Sequence, residues 1–483
     1  MEKKTFWDQI KSFRYRFWMV NLVEFLERFS YYCMRSVLGI YIVTPAKNGG
    51  LDLSQTQKGN IFALWALVQC LLPIFSGGIS DRYGYKKSIC VSFALNAIGL
   101  VLMGVAQEYW TFVLSCVLVA IGCGTFKPPI QAILSGNLDK ENASVGWGIF
   151  YISVNIGGFL APFLASFARA HSWQYVFFCS AGLILLAYPC LFFLESPKKE
   201  KESQKSIKQV VLDLGGLARN IPFVCFLVIY SIFYIVFMQI WDTSPIFIDQ
   251  WVESNHIISW MGQITGIEFL QKTAREGTQI PAELMLNINT FVIILFAMPV
   301  AFLFGKLKHL QSMIFGMFFC AASLLLCGFS REGVWCLLGI ALFSIGEIAC
   351  SPKFSEYVSF LAPENKKALY LGFAQVPFAF GWAAGSVFTG WISDRYSDIY
   401  ALSARYLTTV LNVMPEQIQK IPRGEWLKTL AEHLKISIPE AKALLWNTYY
   451  PPKVWYIMAG IGLLSIVAMI LYDRKMKQKK INM

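Results

Sequence analysis

The stretch NLVEFLERFSYYCMRSVLGIY, Asn21 to Tyr41, is long enough to cross a bilayer and yet carries Glu24, Glu27, Arg28 and Arg35. At 3.6 residues per turn these four, with Tyr31 among them, fall along one side of a helix. That side cannot face lipid, because a charge at the bilayer centre costs about 2.5 kcal/mol or more. Such a stripe lines a bundle interior or a watery cavity and marks a substrate, ion or proton path; the alternative is a structural ion-pair staple between helices.

The rest of the chain is composed to hold this stripe in a membrane. Of its 483 residues 56% are hydrophobic and 15% charged, and the mean hydropathy is +0.50, outside the range of soluble globular proteins. Apolar windows of spanning length recur near 17–44, 57–80, 87–106, 110–137, 145–168, 173–195, 221–248, 287–305, 309–330, 334–362, 367–393 and 453–473. The first is too long and too charged for a cleavable signal peptide. Between the sixth and seventh lies ESPKKEKESQKSIKQ from Glu195, which reads as a solvated linker. The pattern predicts an all-α membrane protein with twelve transmembrane helices in two six-helix bundles. These are an N-terminal bundle over 1–196, a cytoplasmic linker over 197–220 and a C-terminal bundle over 221–483. Two such halves place a substrate site between them near the midplane.

The formal charge of +12 raises nucleic acid as a partner, and the distribution of the 42 Lys and Arg removes it. With the N-terminus cytoplasmic, the tails and inner loops hold 24 and the short outer loops hold 4. Two long outer loops, 249–286 and 394–452, hold 10 and cross regardless of charge, and Arg28, Arg35, Lys127 and Lys353 lie inside spans. Basicity is therefore a topology signal, which puts both termini in the cytoplasm and the protein in an inner or plasma membrane. The 249–286 loop is polar with little periodicity. The 394–452 loop predicts two short amphipathic helices, near Glu425–His433 and behind the capping box that Ser437 and Glu440 form, and it is a place for an unknown partner or a packing lid. All twelve Cys fall within spans, where the default is a buried, inert thiol.

Further polar groups sit in the apolar windows. Span 4 carries Lys127 in GCGTFKPPIQ, level with Glu24 to Arg28, and its ammonium should pair with a carboxylate of span 1 or span 10. Pro128 and Pro129 open the backbone ladder there, which is tolerable only where the freed carbonyls find partners. Span 5 has Asn155, a helix-to-helix contact or a ligand contact, and Gly157-Gly158 for close approach. Span 7 has Gln239 and Asp242, and Asp242 at the depth of Arg35 suggests an outer gate. Span 8 opens with Asn287 and Asn289, where ordinary capping is the alternative to a site role. Span 10 puts Glu347 near the midplane with Ser351 on the same face, and Lys353 with Glu356 at i, i+3. A lone midplane Glu opposite a cationic cluster suits an amine. All four His fall outside the span interiors, so proton traffic must use carboxylates.

Between spans 2 and 3, GGISDRYGYKK from Gly77 to Lys87 resembles the signature loop of the major facilitator superfamily. Asp81 and Arg82 are its gating candidates. GWISDRY, Gly390 to Tyr396, repeats part of it on the outer side and reads as coincidence. The charged motifs together resemble the proton-dependent oligopeptide transporter family. Glu24-Phe25-Leu26-Glu27-Arg28 looks like its ExxER motif, Lys127-Pro128 its span 4 lysine motif, Phe150 to Gly158 its FYxxxNxGG-type signature, and Gly346-Glu347 through Ser351-Pro352 its GExxxSP motif. Cys33 and Pro129 depart from the Gly and Asn usual there, the linker is too short for the two extra helices of many bacterial members, and the 394–452 loop is unusual.

The resemblance implies uptake of di- and tripeptides with protons by alternating access. Glu24 and Glu27 would carry protons; Arg28, Arg35 and Lys127 would hold the peptide carboxylate, and Glu347 its amino group. Asn155 and Asn289 would assist, and Tyr31 would shape a side-chain pocket. A symporter of another small carboxylate or zwitterion, and a non-transporting ligand sensor, are the competing readings. The sequence has no nucleotide loop, metal-ligand cluster or nucleophile motif, so neither catalysis nor a cofactor is expected.

Overall fold

The computed structural model describes residues 6–139, 141–194, 215–217, 219–265, 279–363 and 367–481. Most of the 197–220 linker and the middle of the 249–286 loop lie outside them. Span 1 is one helix, Tyr15–Val43. Among the described residues eleven other helices are long and apolar enough to cross a membrane: Gln55–Tyr83, Tyr85–Val105, Tyr109–Ser135, Ala143–His171, Trp173–Phe193, Ile221–Asp242, Ala282–Gly305, His309–Cys327, Gly333–Leu361, Leu369–Tyr396 and Lys453–Gln478. They are spans 2 to 12, and with span 1 they make the all-α, twelve-span architecture. Span 1 does not read as apolar by composition because of its charged stripe, the feature that sets it apart.

Two compact units are formed. One comprises Met1–Ser36, Leu64–Val224 and Leu361–Phe380; the other comprises Val37–Ala63, Cys225–Phe360 and Gly381–Met483.

In the first unit the first of the two prolines of span 4 is accommodated as the physics requires. Pro128 has no N–H for the carbonyl of Gly124, and Ser76 Oγ of span 2 donates to that carbonyl at 3.2 Å. Span 5 comes against span 1 at Gly157, where an added Cβ would stand 3.1 Å from Phe25 O and 3.2 Å from Phe29 N. A larger residue there would push span 1, and its charges, out of register.

In the second unit span 7 is not the continuous helix to 248 that its hydropathy predicts. It runs Ile221–Phe237, turns at Met238, resumes as Gln239–Asp242 and restarts as Ser244–Trp251. Side chains hold the interruption: Gln239 Nε2 donates to Ile235 O at 2.6 Å, and Thr243 Oγ1 donates to Gln239 Oε1 at 2.8 Å. Pro245 sits in the first turn of the restarted helix, where its missing N–H costs nothing. The 249–286 region is also more helical than its weak periodicity suggests, with Asn255–Thr265 and Ala282–Leu286.

The 394–452 segment folds into four short helices and a single 3-10 turn, and the turn at Arg423–Glu425 is its anchor. The helix behind Ser437 carries both bonds of the predicted capping box. Helices at Ile399–Thr409 and Pro415–Gln419 were not expected; the first is opened by Asp398, which caps Ala401 N at 2.9 Å. Arg423 donates to Asp398 Oδ2 at 2.9 Å, to Val43 O at 2.9 Å and to Leu53 O at 3.1 Å, tying the segment to the ends of spans 1 and 2.

Burial by itself would raise the Asp398 carboxyl, but Arg423 and bonds from Ala401 N, Gln55 and Gln250 hold it below the ordinary carboxylate range. A depressed acid stabilises the fold fully above the unfolded value, about 3.9, and loses that contribution as pH falls through the folded one. Arg423→Gln strands a buried carboxylate and is expected to cost about 3 kcal/mol at pH 7. The gap to the native protein should narrow below about pH 4; a melting curve against pH reads both, and a pH-independent gap would contradict the pairing.

Candidate functional site

The stripe of span 1 is buried inside the first unit. Glu24 and Glu27 are each 0% exposed, and Arg28, Tyr31 and Arg35 are buried too. Arg28 grips Glu27 with both arms of its fork, Nη2 donating to Oε1 at 2.5 Å and Nε to Oε2. Its Nε also stands 3.9 Å from Glu24 Oε1. Lys127 of span 4 donates to that same Glu24 oxygen, so the expected partner proves to be on span 1. Glu24 Oε2 is buried without a hydrogen-bond partner. The guanidinium of Arg28 lies 4.7 Å over the ring of Tyr31, and the Lys127 ammonium 5.9 Å from that of Phe150. Tyr31 Oη meets Gln69 of span 2 at 3.4 Å.

Two cations, Arg28 of span 1 and Lys127 of span 4, thus stand against two carboxylates of span 1, Glu24 and Glu27. If all four are ionised the charges balance, so a proton taken up by either carboxylate leaves one positive charge in excess, which is the electrostatics of a site for an anionic group. Burial makes each pair consequential, because a proton added to one carboxylate releases a cation that water cannot screen.

In the second unit Glu347 is half-buried and has no Lys or Arg partner among the described residues. Asn289 Nδ2 donates to its Oε2 at 3.0 Å and lies 3.1 Å from Ser344 Oγ. The capping alternative for span 8 therefore falls: Asn287 at the start of Ile288–Gly305 makes no side-chain cap, and Asn289 is buried with its amide directed to span 10. A carboxylate held by an amide and unopposed by a cation suits a primary amine.

Other candidates are placed differently. Asn155 donates to Tyr151 O of its own helix at 2.8 Å. Ser351 lies beside Cys350, whose sulfur is 3.9 Å from its hydroxyl. Lys353 pairs with Glu356 at 2.7 Å, and His309 Nδ1 joins that carboxylate at 3.1 Å. Asp81 is exposed and accepts from Tyr85 Oη at 2.7 Å; Arg82 beside it lies 5.5 Å over Tyr83.

The Asp242 carboxylate is taken by Trp382 Nε1 and Ser386 Oγ of span 11, each at 2.8 Å. Lys58 Nζ donates to Asp242 O at 2.9 Å. Lys58 lies a turn inside span 2 and is 1% exposed. The sequence does not single it out, because it stands at the very edge of the 57–80 window, where a lysine reads as a span end. The one available signal was a lysine within helical reach of an apolar window.

The outer repeat GWISDRY, Gly390 to Tyr396, is also not idle. Asp394 of span 11 caps the start of span 2, accepting from Gln55 N at 2.9 Å and from Thr56 N and Oγ1 at 2.8 and 2.6 Å. A carboxylate at a helix N-terminus satisfies orphan donors and meets the positive end of the helix dipole. The repeat reads as coincidence in sequence because the helix it caps is more than three hundred residues away.

The chain matches the family profile described as Major Facilitator Superfamily over residues 25–385. It is 25% identical over 369 residues to the multidrug resistance protein MdtH of Proteus mirabilis (strain HI4320), covering 75% of this chain and 85% of that one. Among solved structures it is similar to a peptide transporter POT in complex with sulfate, at a TM-score of 0.69 and 16% identity, covering 98% of this chain and 97% of the other. It is also similar to the nucleoside transporter NupG, at a TM-score of 0.67 and 14% identity, with coverage of 95% and 99%.

Proposed function

The chain belongs to the major facilitator superfamily, and on that premise we propose that this membrane transporter is a proton-coupled symporter that takes up di- and tripeptides by alternating access. The observation that carries the reading is the bidentate grip of buried Glu27 on Arg28 inside a cluster that sets two cations against two carboxylates. Protonation of Glu27 removes the charge that holds the guanidinium, and Arg28, with Arg35 and Lys127, then takes the peptide carboxylate. Deprotonation returns Arg28 to Glu27 and expels the peptide, so proton and substrate help each other on and off. Glu24 is the second proton carrier, released when Lys127 turns to the substrate. Glu347, steadied by Asn289, takes the amino group; Tyr31, Asn155 and Ser351 contact the rest of the peptide. Lys58, Gln239 and Asp242 close one side of the path, and Asp81 with Arg82 the other.

The relative named a multidrug resistance protein favours a second reading, proton-driven export of a drug. Once Glu27 takes a proton the cluster carries a positive charge in excess and repels a lipophilic cation, which speaks for the peptide. A thermal-shift panel on the purified protein separates these readings. Stabilisation by di- and tripeptides, but not by simple organic acids or lipophilic cations, is the expected result. Stabilisation by organic acids alone would favour a symporter of another small carboxylate, and by cations alone, drug export.

A further inference from the structure

Beside Glu27 the first unit contains a small pocket of about 10 Å³, room for about one water molecule. Its polar lining is Glu27, Ser30 and Tyr31 of span 1, Asn96 of span 3 and Cys123 of span 4; the remainder is apolar. Asn96 is 2% exposed, and its Nδ2 has no hydrogen-bond partner, although a buried amide N–H₂ left unmade costs the fold free energy. Its Oδ1 faces Cys123 Sγ at 3.5 Å. The amide fits only because position 122 is glycine, where an added Cβ would come within 2.4 Å of Asn96 Oδ1.

A lone amide kept in the interior at this cost, beside a carboxylate and a space able to hold water, needs an explanation that packing does not supply. We infer that Asn96 is a positioning residue for the proton on Glu27, acting through water held in this pocket. The inference rests on the symport reading given above.

The lining explains why such a device works. Arg28 is a donor only and serves the ionised form of Glu27, so when the proton arrives the carboxyl needs a partner that can accept. Water, the Ser30 hydroxyl and the asparagine amide can each donate or accept, and none adds a fixed charge. Ser30 already donates to Ser180 O at 2.7 Å, which leaves its oxygen free to accept. The pocket therefore serves Glu27 in both states, and proton exchange leaves no buried group stranded. The titratable groups around Glu27 are Glu24, Arg28 and Tyr31 on its own helix, and Cys123 and Lys127 on span 4. Span 3 brings Asn96, span 6 brings Ile184, and span 5 approaches through Gly157, none of them titratable.

The test is Asn96→Ala and Asn96→Ser, read in proteoliposomes as tripeptide uptake against external pH and as counterflow at symmetrical pH. Loss of the donor disfavours the ionised form, so the midpoint of the pH profile in Asn96→Ala should move upward by roughly 0.5–1 unit, what one such bond is worth. Asn96→Ser, with a hydroxyl that plays both roles, should lie between, and counterflow should be unchanged in both. A midpoint equal to that of the native protein would overturn the inference. Infrared difference spectroscopy gives a readout independent of flux. The carboxyl band that Glu27→Gln removes should shift on exchange of H₂O for H₂¹⁸O, and lose that response in Asn96→Ala. A band insensitive to exchange in the native protein would also overturn the inference, even if neither variant folds. Native protein that shows no proton stimulation at all would instead refute the symport reading, and the infrared result would still decide the water bridge.

Discussion

Glu27→Gln is expected to reduce proton-driven peptide uptake to background, a loss of at least about a hundredfold, while leaving counterflow exchange largely intact. Each tenfold corresponds to about 1.36 kcal/mol, so the missing coupling amounts to some 3 kcal/mol. Glutamine has the shape of the protonated side chain and cannot release a proton. In the native cluster the carboxylate holds Arg28 through both of its donors, with Glu27 fully buried. The glutamine amide keeps one acceptor and no charge, so Arg28 is permanently available to a peptide carboxylate. Binding and exchange survive; the return step that depends on releasing a proton does not. Equal loss of gradient-driven uptake and counterflow would make Glu27 a structural residue.

The second large effect is on stability. Lys127→Ala removes the ammonium from Glu24, which is fully buried and keeps only Arg28, 3.9 Å away, as a cationic neighbour. Breaking one side of a buried pair costs about 3–5 kcal/mol, because the other charge remains in the interior. The lower end is expected, since Lys127 is about a third exposed and Glu24 can escape by taking a proton. Glu24→Gln added to Lys127→Ala removes the stranded charge and should recover most of the loss. The double variant is expected to stay inactive, since it lacks a cation for substrate. Thermal melting of the native protein, both single variants and the double variant closes the cycle; additive losses would mean that the two side chains are not coupled.

How much of this was legible beforehand follows from the range of each signal. The span 1 stripe, the membrane architecture and the Lys127–Glu24 pair were readable, because helical periodicity fixes which residues share a side and burial obliges opposite charges to meet. The Lys353–Glu356 pair and the Ser437 capping box are local and were equally readable. Contacts made across long sequence separations were not. Nothing near Asp394 says that the first turn of span 2 lies against it, and nothing near Asp398 points to Arg423. Asn96 was passed over because one amide in an apolar helix looks like any packing residue until its neighbours are known. Asn289 was read as a possible cap since hydropathy begins the span at 287, whereas the helical path starts at Ala282. The break in span 7 was missed because hydropathy reports burial and is blind to a side chain such as Gln239 competing for the backbone.

The most direct test of the account is the uptake of a labelled tripeptide such as trialanine into liposomes carrying the purified, correctly inserted protein under an inward proton gradient. The account predicts accumulation that a protonophore abolishes and that unlabelled di- and tripeptides suppress. Uptake indifferent to the gradient, or the absence of uptake of any short peptide, would contradict it.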